Sequence, residues 1–542
     1  MVYRIKGTGF WLDEVADAFL SYLEERGASG DAVLTLASGM TPSCPIHFGI
    51  FREILVTSFV AQELEKRGRR VRLVYYWDDY DHFCKIPWYT NREAVAPYLG
   101  KALRDVPDFE GGCASYGERY MRQFEKELAK LGVEPEYNYQ SALYAAGAYA
   151  SYLRLALENR FEVFDCLNEH RLPYNAETIA ERERFYPVEV YCSQCKRDRV
   201  TVKSWDPASD TLVCVCRDCG FEGAYAVGDS FTGKLVWKAN WATRWHDDSV
   251  HFESSGENQL TETGSYAGAS RIVERVYGSQ APFSLLYRFV GIPGVAKVSR
   301  ALGKDGLASR LTGLLEPAMV RWAFARYSPD KPFSLDLGDN ISRLYHEWDV
   351  LLAKVAGGRA EAAEKRLFDI AATGARYCPI PIPYRTVLTA VCLAKQDLRK
   401  AAALLNRIGQ FHGSDEELFN LALPRLECAA FAVRERGDGL CGVSLRDAPD
   451  PVYIANLPEA VARSVEALAE GISECETEEE ISALLASAAG IGSDAEFRKS
   501  LYGAVYTLLT GKPNGPRLST LLSLAGPSTV AYLLKGETVY AK

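Results

Sequence analysis

No run of eighteen or more apolar residues occurs anywhere in the 542-residue chain, and a helix needs about that many to cross a bilayer. The opening stretch MVYRIKGTGFWLDEV holds no apolar core of a secretory signal. These absences lead to the expectation of a cytoplasmic protein that does not engage a membrane. An excess of positive charge is missing too: 62 Lys and Arg stand against 71 Asp and Glu, a net charge of -9. That excludes a protein that coats nucleic acid by charge alone. A local basic face remains possible, because a partner responds to the patch and not to the total. No internal repeat or low-complexity tract appears, and histidine is scarce, with seven in the chain.

What is present belongs to an ordinary globular protein, with 48% hydrophobic and 25% charged residues. The length is too great for one core and suggests roughly three or four domains. Fourteen cysteines are scattered, four of them in two close pairs. Without a secretion signal that pattern favours thiols plus a metal site over disulfides.

Residues 32 to 37 (AVLTLA) and 71 to 76 (VRLVYY) read as short buried strands, with a helix between them over about 50 to 67. Strand, helix and strand at that spacing make a βαβ unit and a parallel sheet. Ligands in such folds bind beyond the carboxyl ends of the strands. TPSCPIHFG, with His47, follows the first strand there, and WDDYDHF, with Asp78 and Asp79, follows the second. Residues 116 to 170 read as helical, a separate module spans about 188 to 228, and 229 to 300 reads as sheet and loops. From about 310 the pattern is helical, broken at 378 to 385, 434 to 442 and 511 to 518. ECETEEEIS (474 to 482) reads as a helix start.

Two constellations carry chemistry. Cys192-x2-Cys195 and Cys216-x2-Cys219 can present four thiolates tetrahedrally to Zn²⁺, a closed and therefore structural site. AKVSRALGK (296 to 304) places Lys297, Ser299 and Arg300 in a small-residue, cationic loop. Alone that loop is a basic turn. Paired with PIHFG it resembles the class I aminoacyl-tRNA synthetases, HFGI standing where that class has H-I-G-H and KVSRALG where it has K-M-S-K-S-L-G.

The motifs GMTPSCPIHFGIFREIL, WDDYDHFCKIP, GKLVWKANWATRW, TGSYAGASRIVERVYG, PFSLDLGDN, PIPYRTV and GKPNGPRL follow in order. In that order they resemble the class I lysyl-tRNA synthetases from about residue 5 to the end. The resemblance implies an α/β, Rossmann-like catalytic domain with an inserted zinc ribbon and an all-α C-terminal domain. It divides the chain into 1–187 and 229–310 (the catalytic halves), 188–228 (the ribbon), 311–375 (a helical stem-contact region) and 376–542 (an anticodon-binding-like domain). It implies ATP with Mg²⁺, structural Zn²⁺, an amino-acid substrate and tRNA, expected to be tRNA-Lys, and activation that itself needs bound tRNA. By the same resemblance Thr41, Ser43, Pro45, His47, Gly49, Lys297, Ser299 and Arg300 bind ATP, with His47, Lys297 and Arg300 also catalytic. Asp78, Asp79, Trp237, Asn240, Asn258, Gln259, Ser265 and Tyr266 form the amino-acid pocket. Arg385 and Arg517 meet tRNA, supported by a basic helix face in 395 to 407. A monomer is the default, although oligomeric state is not legible.

The chain departs from the family around the chemistry. Cys44 replaces the glycine of T-P-S-G, and Ile50 stands in H-I-G-N at the asparagine. Trp237-Lys238-Ala239-Asn240-Trp241 replaces Trp-Arg-Val-Asp-Trp, and Gly256-Glu257-Asn258-Gln259-Leu260 replaces Gly-Lys-Asp-His-Ala. Asn240 and Asn258 are neutral where a lysine ammonium gains from a carboxylate. Glu253, Glu257, Asp78 or Asp79 would then have to supply the charge. A paralogue activating another amino acid for a non-translation acceptor, or a tRNA-binding protein without catalysis, stays open.

Overall fold

The computed structural model describes residues 1–7, 9–87, 89–228, 231–338, 340–408, 411–436, 443–490 and 495–535, apart from the side chains of Arg300 and Arg436. Residues 437–442 of the expected break at 434 to 442 lie outside the described residues. By contacts the chain forms two compact units. The first takes Met1–Arg310 with Ala323–Leu335, and the second takes Leu311–Trp322 with Asp336–Lys542.

In the first unit, β1 (Val2–Tyr3), β2 (Leu34–Met40), β3 (Val71–Trp77) and β4 (Glu136–Tyr139) are followed by a small insert. The insert holds β5 (Val188–Val190), β6 (Val200–Asp206), β7 (Thr211–Cys216), β8 (Glu222–Ala226) and β9 (Gly233–Leu235). The chain then returns as β10 (Val250–Gly256) and β11 (Phe283–Tyr287). The main sheet runs β1-β11-β10-β2-β3-β4 with every pairing parallel. From β2 the chain builds outward through β3 and β4 on one side, then through β10 and β11 on the other. The strand order therefore reverses between β2 and β10, and a crevice opens there beyond their carboxyl ends. The near-continuous apolar character of LTLASGM and FSLLY fits strands covered on both faces.

Helix Trp11–Glu24 turns Trp11, Val15, Phe19 and Tyr22 inward on one stripe, as three- and four-residue spacing requires. The insert is an antiparallel β6-β7-β8 ribbon beside a β5-β9 pair. Its Leu212, Cys214 and Tyr225 join the apolar cluster that includes Trp241 and Trp245.

Two expectations need correction. The stretch 229 to 300 is not sheet and loops alone, since helices Trp237–Asp247 and Ser265–Arg275 alternate with β10 and β11. Trp237, Trp241 and Trp245 are strand-favouring residues, but their four-residue spacing lines one helical face. Within 116 to 170, Glu136–Tyr139 is the edge strand β4, a four-residue alternation too short to stand out from the helices around it. Among the described residues, no helix is long and apolar enough to cross a membrane.

The second unit is helical, as expected. Arg425, wholly buried, donates to Glu316 Oε1 at 2.6 Å, Asp349 Oδ1 at 2.7 Å and the Ile382 carbonyl at 2.6 Å. A further core gathers Val461, Leu468, Leu485, Leu508 and Leu521. Thr477 and Glu480 form a capping box on helix Glu478–Ala489, so ECETEEEIS does open a helix. Removing the cation from the Arg425 cluster strands the buried Glu316 carboxylate and the half-buried Asp349. Arg425→Met is therefore expected to destabilise the protein by about 3–5 kcal/mol, read as a lower denaturant midpoint for the helical unit. A midpoint unchanged from wild type would refute that.

Candidate active site

The first arm of the site leaves β2 at Met40. His47 is extended (φ -87, ψ 149) and caps the short turn Phe48–Ile50, which runs directly into helix Phe51–Lys66. Three residues nail that helix start. Phe51 stacks on Phe124 with centroids 5.3 Å apart. Arg52 donates to the carbonyls of Phe324, Tyr327, Ser328 and Lys331 at 2.7–3.2 Å, and burial lowers its pKa to about 9. Glu53 accepts from Ser38 Oγ at 2.7 Å, Gly39 N at 3.2 Å and the Tyr287 hydroxyl at 2.8 Å. Burial raises the Glu53 pKa against these donors.

The second arm starts at β12 (Val290–Gly291), turns at Gly294 (φ 79) and returns through Val298, whose N–H meets the Val290 carbonyl at 2.7 Å. Lys297 Nζ lies 3.7 Å from the centre of the Phe289 ring, a cation–π contact on an exposed side chain. Ser299 caps the following turn by accepting from Ala301 N at 3.4 Å. The Arg300 side chain lies outside the described residues.

The two arms meet. His47 pairs with Leu307 in an antiparallel bridge, and Ala308 N donates to the Ile46 carbonyl at 2.9 Å. A Cβ on Gly49 would fall 2.9 Å from His47 Nδ1 and 3.2 Å from the Val298 carbonyl, so a side chain there would displace the His47 ring and press on the Val298 carbonyl. Between the arms opens a cleft of about 240 Å³ lined by His47, Gly49, Asn258, Gln259 and Lys297. Gly256, Tyr287 and Phe289 line it as well, and the motifs did not single these out. Their signal was position, since Gly256 and Tyr287 close β10 and β11 at the carboxyl edge of the sheet.

The remaining site candidates are not gathered in that cleft. Thr41 Oγ1 donates to Asp81 Oδ2 at 3.3 Å, the Ser43 carbonyl accepts from the Tyr116 hydroxyl at 3.1 Å, and Pro45 is half-buried. Asp78 is buried in an ion pair with Arg244. Asp79 accepts from the Ser141 N–H at 2.8 Å and from its hydroxyl. Asn240 is buried between the Tyr144 hydroxyl at 2.8 Å and Gln140 Oε1 at 3.3 Å. Tyr266 donates to the Pro282 carbonyl at 2.7 Å, and Ser265 opens the helix that carries it. Trp237 stacks on Trp241 at 5.2 Å. Asp78, Asp79, Asn240 and Tyr266 stand outside the lining of that cleft. Each satisfies its polar group within the protein.

Glu253 is held differently. The indole N–H groups of Trp241 and Trp245 both donate to its Oε2, and burial raises its pKa to about 7. Glu257 faces Arg288 at 3.5 Å. One cluster was not assembled from the sequence, although WDDYDHF holds two of its members: Asp81, His82 and Glu189 converge, with the buried Lys234 ammonium 2.9 Å from Asp81 and 3.5 Å from Glu189. Burial alone would raise the Asp81 pKa, but His82 and Lys234 hold it well below the usual carboxylate range.

In the ribbon the four cysteine sulfurs lie within 4.8 Å of one another, with Cys192–Cys219 and Cys195–Cys216 each at 3.6 Å. Each Cys-x2-Cys turn is followed by a left-handed residue, Lys196 (φ 63) or Gly220 (φ 74), and within the turns the N–H groups of Cys195 and Asp218 point at the sulfurs of Cys192 and Cys216. Such a cluster could hold a metal ion. In the helical unit, Arg385 lines a groove of about 480 Å³ together with Arg343, His346 and Pro381. Arg517 caps helix Leu518–Ala525 and stands 3.7 Å from Glu478, its side chain largely exposed.

A family model described as tRNA synthetases class I (K) matches residues 9–373. A lysine–tRNA ligase from Pyrococcus horikoshii is 32% identical, over 97% of this chain and 99% of its own. The corresponding enzyme of Treponema pallidum is 30% identical, over 97% and 98%. That of Streptomyces coelicolor is 29% identical, over 97% and 98%.

Because the Cβ of Gly49→Ala would strike His47 or Val298, that variant is expected to lose at least about tenfold in ATP affinity, a change of ~1.4 kcal/mol. Unfolding should stay close to wild type. Calorimetric ATP binding at wild-type strength would refute it.

Proposed function

The chain belongs to the class I lysyl-tRNA synthetase family, and from that premise we propose that it activates lysine with ATP and passes it to tRNA-Lys. The observation that carries this reading is the meeting of the two arms, His47–Gly49 and Lys297, at one cleft beyond the sheet's switch point. As an aminoacyl-tRNA synthetase the protein forms an aminoacyl-adenylate. The amino acid's carboxylate oxygen attacks the α-phosphorus, the bond to the bridging oxygen breaks, and pyrophosphate leaves. No protein nucleophile is needed, so positioning and charge stabilisation do the catalysis.

We assign His47 as a donor to the phosphates, and Lys297 and Arg300 as the cations that offset charge on the α-phosphate and leaving pyrophosphate. Thr41, Ser43, Pro45, Gly49 and Ser299 shape the loops around ATP, which enters with its Mg²⁺. In transfer, the terminal ribose hydroxyl of tRNA attacks the adenylate's carbonyl and releases AMP and a proton.

Glu253 supports lysine. Asp78 and Asp79 are already bonded, and Glu257 faces Arg288. Glu253 is bonded through Oε2, by the Trp241 and Trp245 indole N–H groups, and its Oε1 is the acceptor we assign to the ammonium. The neutral Asn240 and Asn258 favour the second reading, a paralogue that activates another amino acid for a different acceptor.

Zinc is the ion we assign to the four cysteines. Sulfurs about 3.6 Å apart suit tetrahedral thiolate coordination, and Zn²⁺ there would fold the ribbon without entering the reaction. Arg385 and Arg517 are assigned to tRNA in the anticodon-binding-like region 376–542, with 311–375 as the stem-contact region, 1–187 and 229–310 as the catalytic halves and 188–228 as the ribbon. A cytoplasmic monomer completes the reading.

ATP–pyrophosphate exchange over a panel of amino acids, with and without total tRNA, tests it. Lysine should give the largest signal, greater with tRNA present, and Lys297→Ala should cut exchange by roughly 10²–10³-fold. Exchange with another amino acid alone would select the paralogue, and none at all in folded protein would sink the catalytic reading. Metal analysis should give one zinc per chain and almost none in Cys216→Ser.

A further inference from the structure

Two motifs of the sequence meet at a place the proposed chemistry leaves unused. Asp81, from WDDYDHF, and Lys234, from GKLVWKANWATRW, form an ion pair at 2.9 Å, and the lysine side chain is only 5% exposed. Glu189 stands 3.5 Å from the same ammonium, directly across the β5–β9 pair. The two oxygens of Asp81 are divided between partners. Oδ1 accepts from Lys234 and from the His82 N–H at 3.0 Å, and Oδ2 accepts from the Thr41 hydroxyl at 3.3 Å. The His82 ring lies 3.3 Å from Asp81 and 3.7 Å from Asp198, which stands between the first cysteine turn and β6. Asp198 N donates to the Gly100 carbonyl at 2.8 Å, and the Tyr191 hydroxyl to the Tyr80 carbonyl at 2.6 Å. The base of the ribbon is thereby fastened to the segment after β3. That segment is fastened in turn to the end of β2, where Asp78 N donates to the Met40 carbonyl at 2.9 Å beside the Thr41 contact.

We propose that Lys234 is a positioning residue for adenylate formation: acting through Asp81, its ammonium sets the Thr41 hydroxyl and the loop from Thr41 to His47. The inference rests on the cleft being the site of ATP chemistry. Stability alone does not account for the pair, because the attraction between two ions taken out of water has to offset the desolvation of both. What the pair supplies is direction. With Oδ1 held by Lys234 and the His82 N–H, Oδ2 is turned to Thr41. An ionised carboxylate only accepts, so Thr41 must donate, and its hydroxyl is held in one setting. A neutral residue at 234 would leave Asp81 without its closest cation and free to turn, and Thr41 would lose a fixed acceptor. Thr41 directly follows Met40, the last residue of β2, and leads the arm that carries His47. Displacement there is felt as misplacement of the reacting groups, to which catalysis by positioning is sensitive. The lysine comes from β9 and Asp198 from the ribbon, so the seating of the insert is read at the cleft.

The test is ATP–pyrophosphate exchange by the full chain at saturating substrate, with rates expressed per titrated active site. Lys234→Met and Thr41→Val should each lower kcat by roughly ten- to 100-fold. The double variant should fall no more than about twofold below the slower single variant, since both substitutions break one chain of contacts. Losses that multiply, or Thr41→Val at the wild-type rate, overturn the inference. Lys234→Ala leaves a gap the size of a propylammonium ion. Its rate should rise with the concentration of n-propylammonium and not with that of 1-propanol, which fills the same space without charge. Equal rescue by the alcohol would reduce Lys234 to packing and overturn the inference as well. Amide hydrogen exchange gives a readout that needs no catalysis: residues 41–47 should exchange faster in Lys234→Met and in Thr41→Val than in wild type. Unchanged exchange there in both variants overturns the inference. Faster amide exchange in a protein whose wild type activates no amino acid would instead spare the coupling and remove the proposed activity.

Discussion

The active site depends on a cation buried without a neighbouring carboxylate bond of its own. Arg52 spends its guanidinium on four carbonyl oxygens of the segment 324–331, and so fixes the first turn of helix Phe51–Lys66. A buried arginine held by carbonyl dipoles is costly to place and tolerates little movement. Glu53, next in sequence, binds the end of β2 through Ser38 and Gly39 and the end of β11 through Tyr287. One dipeptide therefore joins the ends of β2 and β11, on either side of β10, to the helix whose start carries His47 and Gly49. Rigidity there matters because catalysis by positioning loses its advantage with small displacements.

From that anchor the geometry of the cleft follows. The Gly49 approach brings the first arm against the Val298 carbonyl, and the His47–Leu307 bridge keeps the arms in register. Lys297 rests over Phe289, a contact weak enough at an exposed position to be exchanged for a phosphate. The fixed arm and the exposed cation suit a reaction in which charge shifts between ground and transition states.

Much of this was legible in the sequence. The βαβ pattern, the paired cysteines and the distant HFG and KVS turns each identify a physical requirement: a buried strand, four thiolates, a helix start, a cationic loop. The class of fold and the pairing of the His47–Gly49 turn with the Lys297 loop follow from them, whereas Asn258 and Gln259 were named through the family resemblance alone. What could not be read was where a polar side chain spends its hydrogen bonds. Asp78 and Asp79 stand at the carboxyl end of β3, the right place for a substrate contact, yet Arg244 and Ser141 take them. Those partners are 166 and 62 residues away, and no local pattern encodes them. The tryptophans of helix Trp237–Asp247 misled for a related reason, because their composition suggests a strand while their spacing makes a helix.

The neutral Asn240 fits this distribution of charge. Its amide accepts from Tyr144 and donates to Gln140, and the Tyr144 hydroxyl in turn accepts from the N–H of Leu235. A carboxylate at that position would be buried, with no donor for its second oxygen unless Gln140 turned its amide around. Ionised, it would also carry the desolvation penalty of a buried charge. An amide supplies one acceptor and one donor to a site that offers one of each, so the network closes without charge. The carboxyl nearest the tryptophans is Glu253, whose two indole donors converge on a single oxygen while burial raises its pKa to about 7. The neutral Asn240 thus follows from its own hydrogen-bond network, which leaves the pairing of a substrate ammonium to other residues.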